Sequence, residues 1–216
     1  KALLKSAQVM EYINHSKDYG VEVTGAKADF GAMVKRSRGV ADKMSKGIQY
    51  LMKKNKIDVI MGFGKLNNKK EVEVTGADGK TTTHQAKHIV LATGGRARQL
   101  PNLPIDGKKV IGYREAMVLP QQPKSMIVVG SGAIGVEFAY FYHATGTKVT
   151  IVEFMPRIVP VEDEDISKEL EKNFKKAGID VMTNSEVTKV DTSGNGVKAT
   201  IKTQSGEQVL EAHILL

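Results

Sequence analysis

A glycine-rich segment between two apolar runs constrains the fold of this chain more than any other feature. The apolar run from Met126 to Val129 meets the pattern G-x-G-x-x-G at Gly130, Gly132 and Gly135, and a helical pattern follows. A second apolar run ends in an acid, Glu153, which lies 23 residues beyond Gly130 (153 − 130 = 23). This order of strand, glycine turn, helix, strand and acid is typical of a βαβ unit that binds a dinucleotide.

Each glycine of the pattern has a mechanical purpose in such a unit. Gly130 allows the tight strand-to-helix turn, Gly132 lets the backbone approach a pyrophosphate, and Gly135 lets the helix pack close to the strand. The helix N-terminus then presents free N–H groups and the positive end of its dipole to the phosphates. The segment predicted to bind the cofactor comprises Gly130, Ser131, Gly132, Ala133, Ile134, Gly135 and Val136.

Glu153 indicates which dinucleotide is bound. A carboxylate at the end of the second strand can accept hydrogen bonds from an adenosine ribose, and it repels a 2′-phosphate. The sequence therefore predicts NAD rather than NADP. A G-x-G-x-x-G pattern alone also occurs in ordinary loops, but here both strands, the helix and the acid lie where the mechanism requires them.

Composition limits the classes of protein to be considered. The chain has 216 residues, of which 41% are hydrophobic and 26% charged, and this suits one or two globular domains. No apolar run approaches a membrane span of about 20 residues, so we expect a soluble cytoplasmic protein with no membrane partner. With no cysteine, the chain holds no disulfide or thiolate nucleophile. The five histidines lack metal-ligand spacing, so no metal site is predicted.

A net charge of +8 raises the question of a polyanionic partner. Much of the excess lies in the first quarter, including Lys35, Arg36 and Arg38. Apolar residues in the same stretch recur at nearly helical spacing, which favours an amphipathic helix with a solvated basic face. Aromatic residues are sparse there and no nucleic-acid motif accompanies the charge, so a basic nucleic-acid-binding module is the second hypothesis.

The first half of the chain alternates between helical and strand patterns. Helices are predicted over residues 1–17 and over 29–55, with Asp29 as the cap of the second helix. Short strands are predicted at 21–23 and 57–61. Alternation around Asp78-Gly79 predicts a β-hairpin, and residues 88–92 predict a buried strand. Prolines punctuate the stretch that follows, which we interpret as a connection between domains.

The second half continues the pattern of the fingerprint. Helices are predicted over 134–144 and 165–176, followed by a strand over 179–182. Residues 187–210 predict an antiparallel meander, and 213–216 a final buried strand. The predicted fold is α/β, with a Rossmann-like domain that has a central parallel sheet and an antiparallel β-meander.

Five sequence segments resemble those of one enzyme family. The chain is similar to the flavin-dependent pyridine nucleotide–disulfide oxidoreductases, and most closely to the dihydrolipoamide dehydrogenase branch. The resemblance implies that residues 1–120 belong to an incomplete FAD-binding domain and 121–216 to a nearly complete NAD-binding domain. The matching segments are KALLKSA at 1–7, MGFGKL at 61–66, IVLATGG at 89–95, PKSMIVVGSGAIGVEFA at 123–139 and VTIVEFMPRIVP at 149–160.

The resemblance also implies further cofactor-binding residues. Lys1 corresponds to the family's lysine beside the flavin ring, and Glu137 to the glutamate that pairs with it near the nicotinamide. Val187 corresponds to a backbone contact to the adenine of NAD. The remaining implied contacts, all to FAD, are Gly64, Thr93, Gly94 and Gly95. The chain has Gly-Gly-Arg-Ala-Arg at 94–98 where the family has Gly-Ser followed by proline, so the contacts around Arg96 and Arg98 are open.

The implied reaction passes electrons from dihydrolipoamide through a disulfide and FAD to NAD⁺. The partners implied for the longer parent protein are a second copy of that protein and the lipoyl domains of a 2-oxo acid dehydrogenase or glycine cleavage complex. The family's redox cysteines and acid–base histidine have no counterpart here, so no catalytic residue is assigned. We expect the chain to be an internal piece of a longer protein and inactive alone. Another NAD(P)H-dependent disulfide reductase is the alternative within the superfamily.

Overall fold

The computed structural model describes every residue from Lys1 to Leu216. It divides into two compact units. The larger unit comprises Lys1–Gly39 and Ala97–Leu216, and the smaller unit comprises Val40–Arg96. The expected domain boundary near residue 120 stays a prediction.

A four-stranded parallel sheet is the centre of the larger unit. In chain order its strands are β4 (Ser125–Val129), β5 (Lys148–Val152), β6 (Asp180–Met182) and β10 (Ile214–Leu215). They lie side by side in the order β10-β4-β5-β6, and every neighbouring pair is parallel. Met126, Ile127 and Val128 on β4 are at most 2% exposed, as expected for a parallel strand covered on both faces.

Helices connect these parallel strands. Helix α4 (Ala133–Ala144) lies between β4 and β5, and α5 (Glu164–Ala177) lies between β5 and β6. Asp163 caps α5 by accepting a hydrogen bond from the Asp165 N–H at 2.9 Å, and this satisfies one of the free N–H groups at the helix start. The two helices and the strand after α5 confirm the predicted βαβαβ order.

Helix α1 (Ala2–Asn14) packs against α4 in the main hydrophobic core. Tyr142 on α4 is fully buried, and its hydroxyl donates to the carbonyl of Ala116 at 2.6 Å, at the end of the short helix α3 (Tyr113–Ala116). Burial raises the pKa of the Tyr142 phenol, which therefore stays neutral and serves as a hydrogen-bond donor.

The predicted antiparallel meander is confirmed. Val197, Ala199 and Ile201 are every second residue of the middle strand of the meander and are almost fully buried. This alternation is expected for a sheet with one face on a core. These three residues form a second core cluster with Ile127 and Val152 of the parallel sheet. The meander strands are β7 (Glu186–Asp191), β8 (Val197–Thr203) and β9 (Gly206–Ala212). The predicted α/β fold, with a central parallel sheet and an antiparallel meander, is therefore confirmed.

The smaller unit contains a three-stranded antiparallel sheet. The hairpin predicted at Asp78-Gly79 is confirmed, because β2 and β3 pair across this turn. The order is β1-β2-β3, and the strands are β1 (Phe63–Leu66), β2 (Val72–Thr75) and β3 (Thr81–His84). Helix α2 (Phe30–Lys54) belongs to the larger unit up to Gly39 and to the smaller one beyond it. The predicted Asp29 cap is confirmed, since its side chain accepts from the Ala32 N–H at 2.9 Å.

Three predicted strands were wrong. Residues 21–23, 57–61 and 88–92 form no strand. In the last of these, Val90 and Leu91 are 87% and 71% exposed. An apolar run becomes a buried strand only when neighbouring strands satisfy its backbone groups, and no strand pairs with these residues. The first predicted helix is also shorter, because α1 ends at Asn14 and a 3₁₀ helix follows.

None of the helices combines the length and apolar character needed to cross a membrane.

Candidate functional site

The glycine loop between β4 and α4 has the conformation that the fingerprint predicts. Gly130 has a φ of 91°, a left-handed value that side-chain-bearing residues rarely adopt. Its N–H donates to the Val152 carbonyl at 2.9 Å, so the turn begins where β4 and β5 are still joined. The chain can therefore leave the sheet and enter α4 within three residues.

Gly135 is required for a close approach between helix and loop. A β-carbon at this position would lie 2.2 Å from the backbone oxygen of Gly130. No rotation of a side chain relieves such a contact, because the obstructing atom belongs to the backbone. The packing reason that the sequence indicated for this glycine is confirmed.

The start of α4 offers unpaired N–H groups. Gly132 is the N-cap and provides no capping side chain, and the N–H groups of Ala133, Ile134 and Gly135 precede the first residue that can pair within the helix. No side chain or loop carbonyl accepts from them. The space around Gly132 is open. This arrangement fits an anionic phosphate group, which would satisfy the free donors and the dipole.

Glu153 lies directly after β5 and is 6% exposed. Its Oε2 accepts from the Ser131 N–H at 2.7 Å and from the Ser131 hydroxyl at 2.6 Å. Its Oε1 accepts from the Met155 N–H at 2.8 Å. A carboxylate has about four acceptor positions, so one position on Oε1 is left for a ligand hydroxyl. The sequence placed Glu153 at the site but gave no indication of these bonds to the glycine loop.

The loop after Glu153 is attached to the same serine. The Val159 N–H donates to the Ser131 carbonyl at 3.0 Å and to its hydroxyl at 3.2 Å. Val159 has a φ of 40°, an unfavourable value for a β-branched residue. Ser131 is fully buried. Through these hydrogen bonds it connects the glycine loop to Glu153 and to the loop that contains Val159.

Lys1 and Glu137 form an ion pair, as the resemblance implies. Glu137 lies in the second turn of α4, and both side chains are substantially exposed. A pair of this kind contributes little to stability in water. The pairing thus leaves a lysine and a carboxylate side by side near the start of α4, and their roles as cofactor contacts stay predictions.

Val187 lies on β7 and is buried. Its carbonyl accepts from the side-chain amide of Asn102 at 2.9 Å, and the same amide reaches the Thr188 carbonyl at 3.3 Å. Asn102 was absent from the sequence prediction, because 85 residues separate it from Val187 and no local pattern connects them. The proposed adenine contact at Val187 stays a prediction.

The residues implied to contact FAD in the smaller unit do not form a defined site. Gly64 lies on β1 and is paired with Val74. Thr93, Gly94 and Gly95 are exposed in an irregular segment. No hydrogen bond connects Gly64 to these three residues. Their assignment stays a prediction that rests on the resemblance alone.

Two residues of the basic cluster on α2 have structural contacts in the larger unit. Arg36 donates to the Ala2 carbonyl at 3.0 Å, and Arg38 contacts the Met117 sulfur at 3.9 Å. These contacts give part of the positive charge a role in joining α2 to its neighbours. No group of three or more histidine, aspartate or glutamate side chains is arranged to hold a metal ion.

The chain matches the family described as pyridine nucleotide-disulphide oxidoreductase over residues 1–216. It is 46% identical to a dihydrolipoyl dehydrogenase of Chlorobaculum tepidum, over 100% of this chain and 46% of that protein. It is 35% identical to the mitochondrial dihydrolipoyl dehydrogenase of Pisum sativum, over 100% of this chain and 44% of that protein.

The structure of LpdA from Mycobacterium tuberculosis superposes with a TM-score of 0.87 at 28% identity, covering 100% of this chain and 47% of that one. This agreement extends along the whole chain and supports the α/β fold described above. The chain spans about half the length of the curated relatives it matches.

Proposed function

Because this chain belongs to the pyridine nucleotide-disulphide oxidoreductase family, we propose that it supplies the NAD-binding part of a dihydrolipoyl dehydrogenase. One observation carries the proposal: a buried carboxylate, Glu153, is fixed beside a glycine loop whose helix start has free N–H groups. The relatives named dihydrolipoyl dehydrogenase support the choice within the family.

Three parts of the chain would hold the dinucleotide. The N–H groups at the start of α4 would bind the pyrophosphate, and the free position on Glu153 Oε1 would accept a ribose hydroxyl. Glu137 would lie along α4 on the nicotinamide side, with Lys1 as its counter-ion. When bound, NAD⁺ supplies the chemistry of hydride acceptance, and the protein supplies orientation and electrostatics.

The wider activity is proposed for the protein to which these residues belong. We propose that it oxidises dihydrolipoamide carried on the lipoyl domains of a 2-oxo acid dehydrogenase or glycine cleavage complex, as a cytoplasmic homodimer with FAD. The chain contains no cysteine, so its residues supply none of the reacting thiols. Lys1, Gly64, Thr93, Gly94 and Gly95 are the positions proposed to face FAD.

The proposal is tested by titrating the 216-residue chain with NADH and with NADPH. We expect NADH to bind at least tenfold more tightly, since Glu153 repels a 2′-phosphate. The variant Glu153→Gln removes the charge and keeps an acceptor oxygen, so we expect it to lose most of this preference. Glu162→Gln is the matched control, because Glu162 is exposed and unpaired. Equal binding of both dinucleotides, or an unchanged preference in Glu153→Gln, would contradict the assignment.

A further inference from the structure

We propose that Ser131 determines the dinucleotide preference by fixing the Glu153 carboxylate, although Ser131 itself need not touch the cofactor. The inference rests on the proposed function, because it concerns the same site. Ser131 occupies the second position of G-x-G-x-x-G, at which the pattern allows any residue. The pattern itself therefore does not indicate this role.

Every polar group of Ser131 is used within the protein. Its N–H and its hydroxyl both donate to Oε2 of Glu153. Its carbonyl and hydroxyl oxygens both face the Val159 N–H. Since Ser131 is fully buried, water cannot replace these partners if Glu153 turns away. The carboxylate is therefore held by the cost of leaving buried donors unpaired.

The main chain of Glu153 is fixed as well. Its N–H donates to the Met182 carbonyl at 2.8 Å, and its carbonyl accepts from the Ser185 N–H at 2.9 Å. The residue thus remains in line with the sheet after β5 has ended. Only rotation of the side chain could move the carboxylate, and the Ser131 bonds oppose that rotation.

No cationic side chain forms an ion pair with the fixed carboxylate. Its three protein donors are neutral amide and hydroxyl groups. The open position on Oε1 suits a ribose hydroxyl, which donates a proton. A 2′-phosphate offers mainly acceptor oxygens and negative charge, so it meets repulsion from a group that cannot withdraw.

The experiment measures the ratio of NADPH to NADH dissociation constants in four chains: wild type, Ser131→Ala, Glu153→Gln and the double variant. We expect Ser131→Ala to reduce the ratio at least fivefold, because the carboxylate loses the hydroxyl bond and is then held only by the main-chain N–H groups of residues 131 and 155. In the Glu153→Gln background, Ser131→Ala should change the ratio less than twofold, since no charge remains to be positioned. Ser205→Ala, at an exposed serine, is the matched control.

A purely structural role for Ser131 would weaken both dinucleotides equally and leave the ratio unchanged, and this result would overturn the inference. Equal effects of Ser131→Ala in both backgrounds would overturn it too. If Ser131→Ala fails to fold, Ser131→Cys replaces it, because a thiol is close in size and a much weaker donor. If the wild type binds neither dinucleotide, the proposed function fails; if it discriminates and Ser131→Ala discriminates equally, only the role of Ser131 fails.

Discussion

Two apolar runs of this chain end in glycines, yet only one of them forms a strand. Met126 to Val129 forms β4 and is largely buried, ahead of Gly130. Ile89 to Ala92 precedes Gly94 and Gly95 but forms no strand, and Leu91 is 71% exposed. The two runs have similar hydrophobicity and similar punctuation, so their different structures must arise from their surroundings.

The surroundings that matter are neighbouring strands. β4 is paired with β5 on one side and with β10 on the other, so its backbone groups are satisfied within the sheet. No strand of the chain pairs with the run from Ile89 to Ala92. The comparison teaches that a strand-and-glycine pattern indicates what a segment can form, and that sheet partners determine what it does form.

The comparison is tested most strongly by removing one apolar side chain from each run. Ile127→Ala should lower the free energy of unfolding by about 2–5 kcal/mol, because Ile127 is 2% exposed in a packed core. Leu91→Ala should change it by less than about 0.5 kcal/mol, as for an exposed position. Urea denaturation followed by circular dichroism measures both values. Similar losses in the two variants would show that the second run is also packed.

The glycine loop after β4 gives a second test, with a smaller expected effect on stability. Gly135→Ala should cost about 1–3 kcal/mol, because the new methyl group meets the Gly130 backbone oxygen. Gly132→Ala is the matched variant, since the space around Gly132 is open. It should fold normally and bind NADH more weakly, because its methyl group would occupy the proposed phosphate position. A stable Gly135→Ala chain would show that the loop can move away from the helix.

The smallest expected effect concerns acid stability. Partial burial raises the pKa of Asp106, but hydrogen bonds from the N–H groups of Lys108, Lys109 and Val110 outweigh it and hold the pKa below its ordinary value. The stability it contributes is therefore present above the unfolded-state pKa of about 3.9 and is lost as pH falls through the lower folded-state pKa. Asp106→Asn should reduce the difference between urea midpoints at pH 7 and pH 3.

The smaller unit supplies a counterpart to Asp106. Hydrogen bonds from the side chains of Asn67 and Gln85 lower the pKa of Glu71. Glu71→Gln should affect the acid sensitivity less than Asp106→Asn, because these donors are flexible side chains in contact with water. The same pair of urea midpoints measures this variant. A larger effect from Glu71→Gln would indicate that the smaller unit limits the acid stability of the chain.

The elements predicted correctly from sequence are those with local signals. Asp29 caps α2, and Asp78-Gly79 turns the hairpin. In each case, residues a few positions apart determine the conformation. The strands predicted at 57–61 and 88–92 lacked any such local requirement, because a strand depends on partners that are distant in sequence.

The same distinction applies to the candidate site. The reasons for Gly130 and Gly135 follow from backbone geometry within one turn, and both could be read from spacing. The bonds from Ser131 to Glu153 cross 22 residues, and the bond from Asn102 to Val187 crosses 85. Side-chain contacts over such distances depend on how the strands and loops pack, so sequence spacing alone did not indicate them.

The placement of β10 has a consequence for how the chain folds. Ile214 pairs with Met126, 88 residues earlier (214 − 126 = 88), whereas the hairpin joins Val72 to His84 across 12 residues (84 − 72 = 12). Closing the longer loop costs more conformational entropy before any contact compensates. The hairpin can therefore form soon after its own synthesis, while β4 has to wait for its second neighbour. Before β10 docks, one edge of the apolar strand β4 is unpaired and can pair with strands of other chains. Aggregation is therefore favoured at this stage of folding.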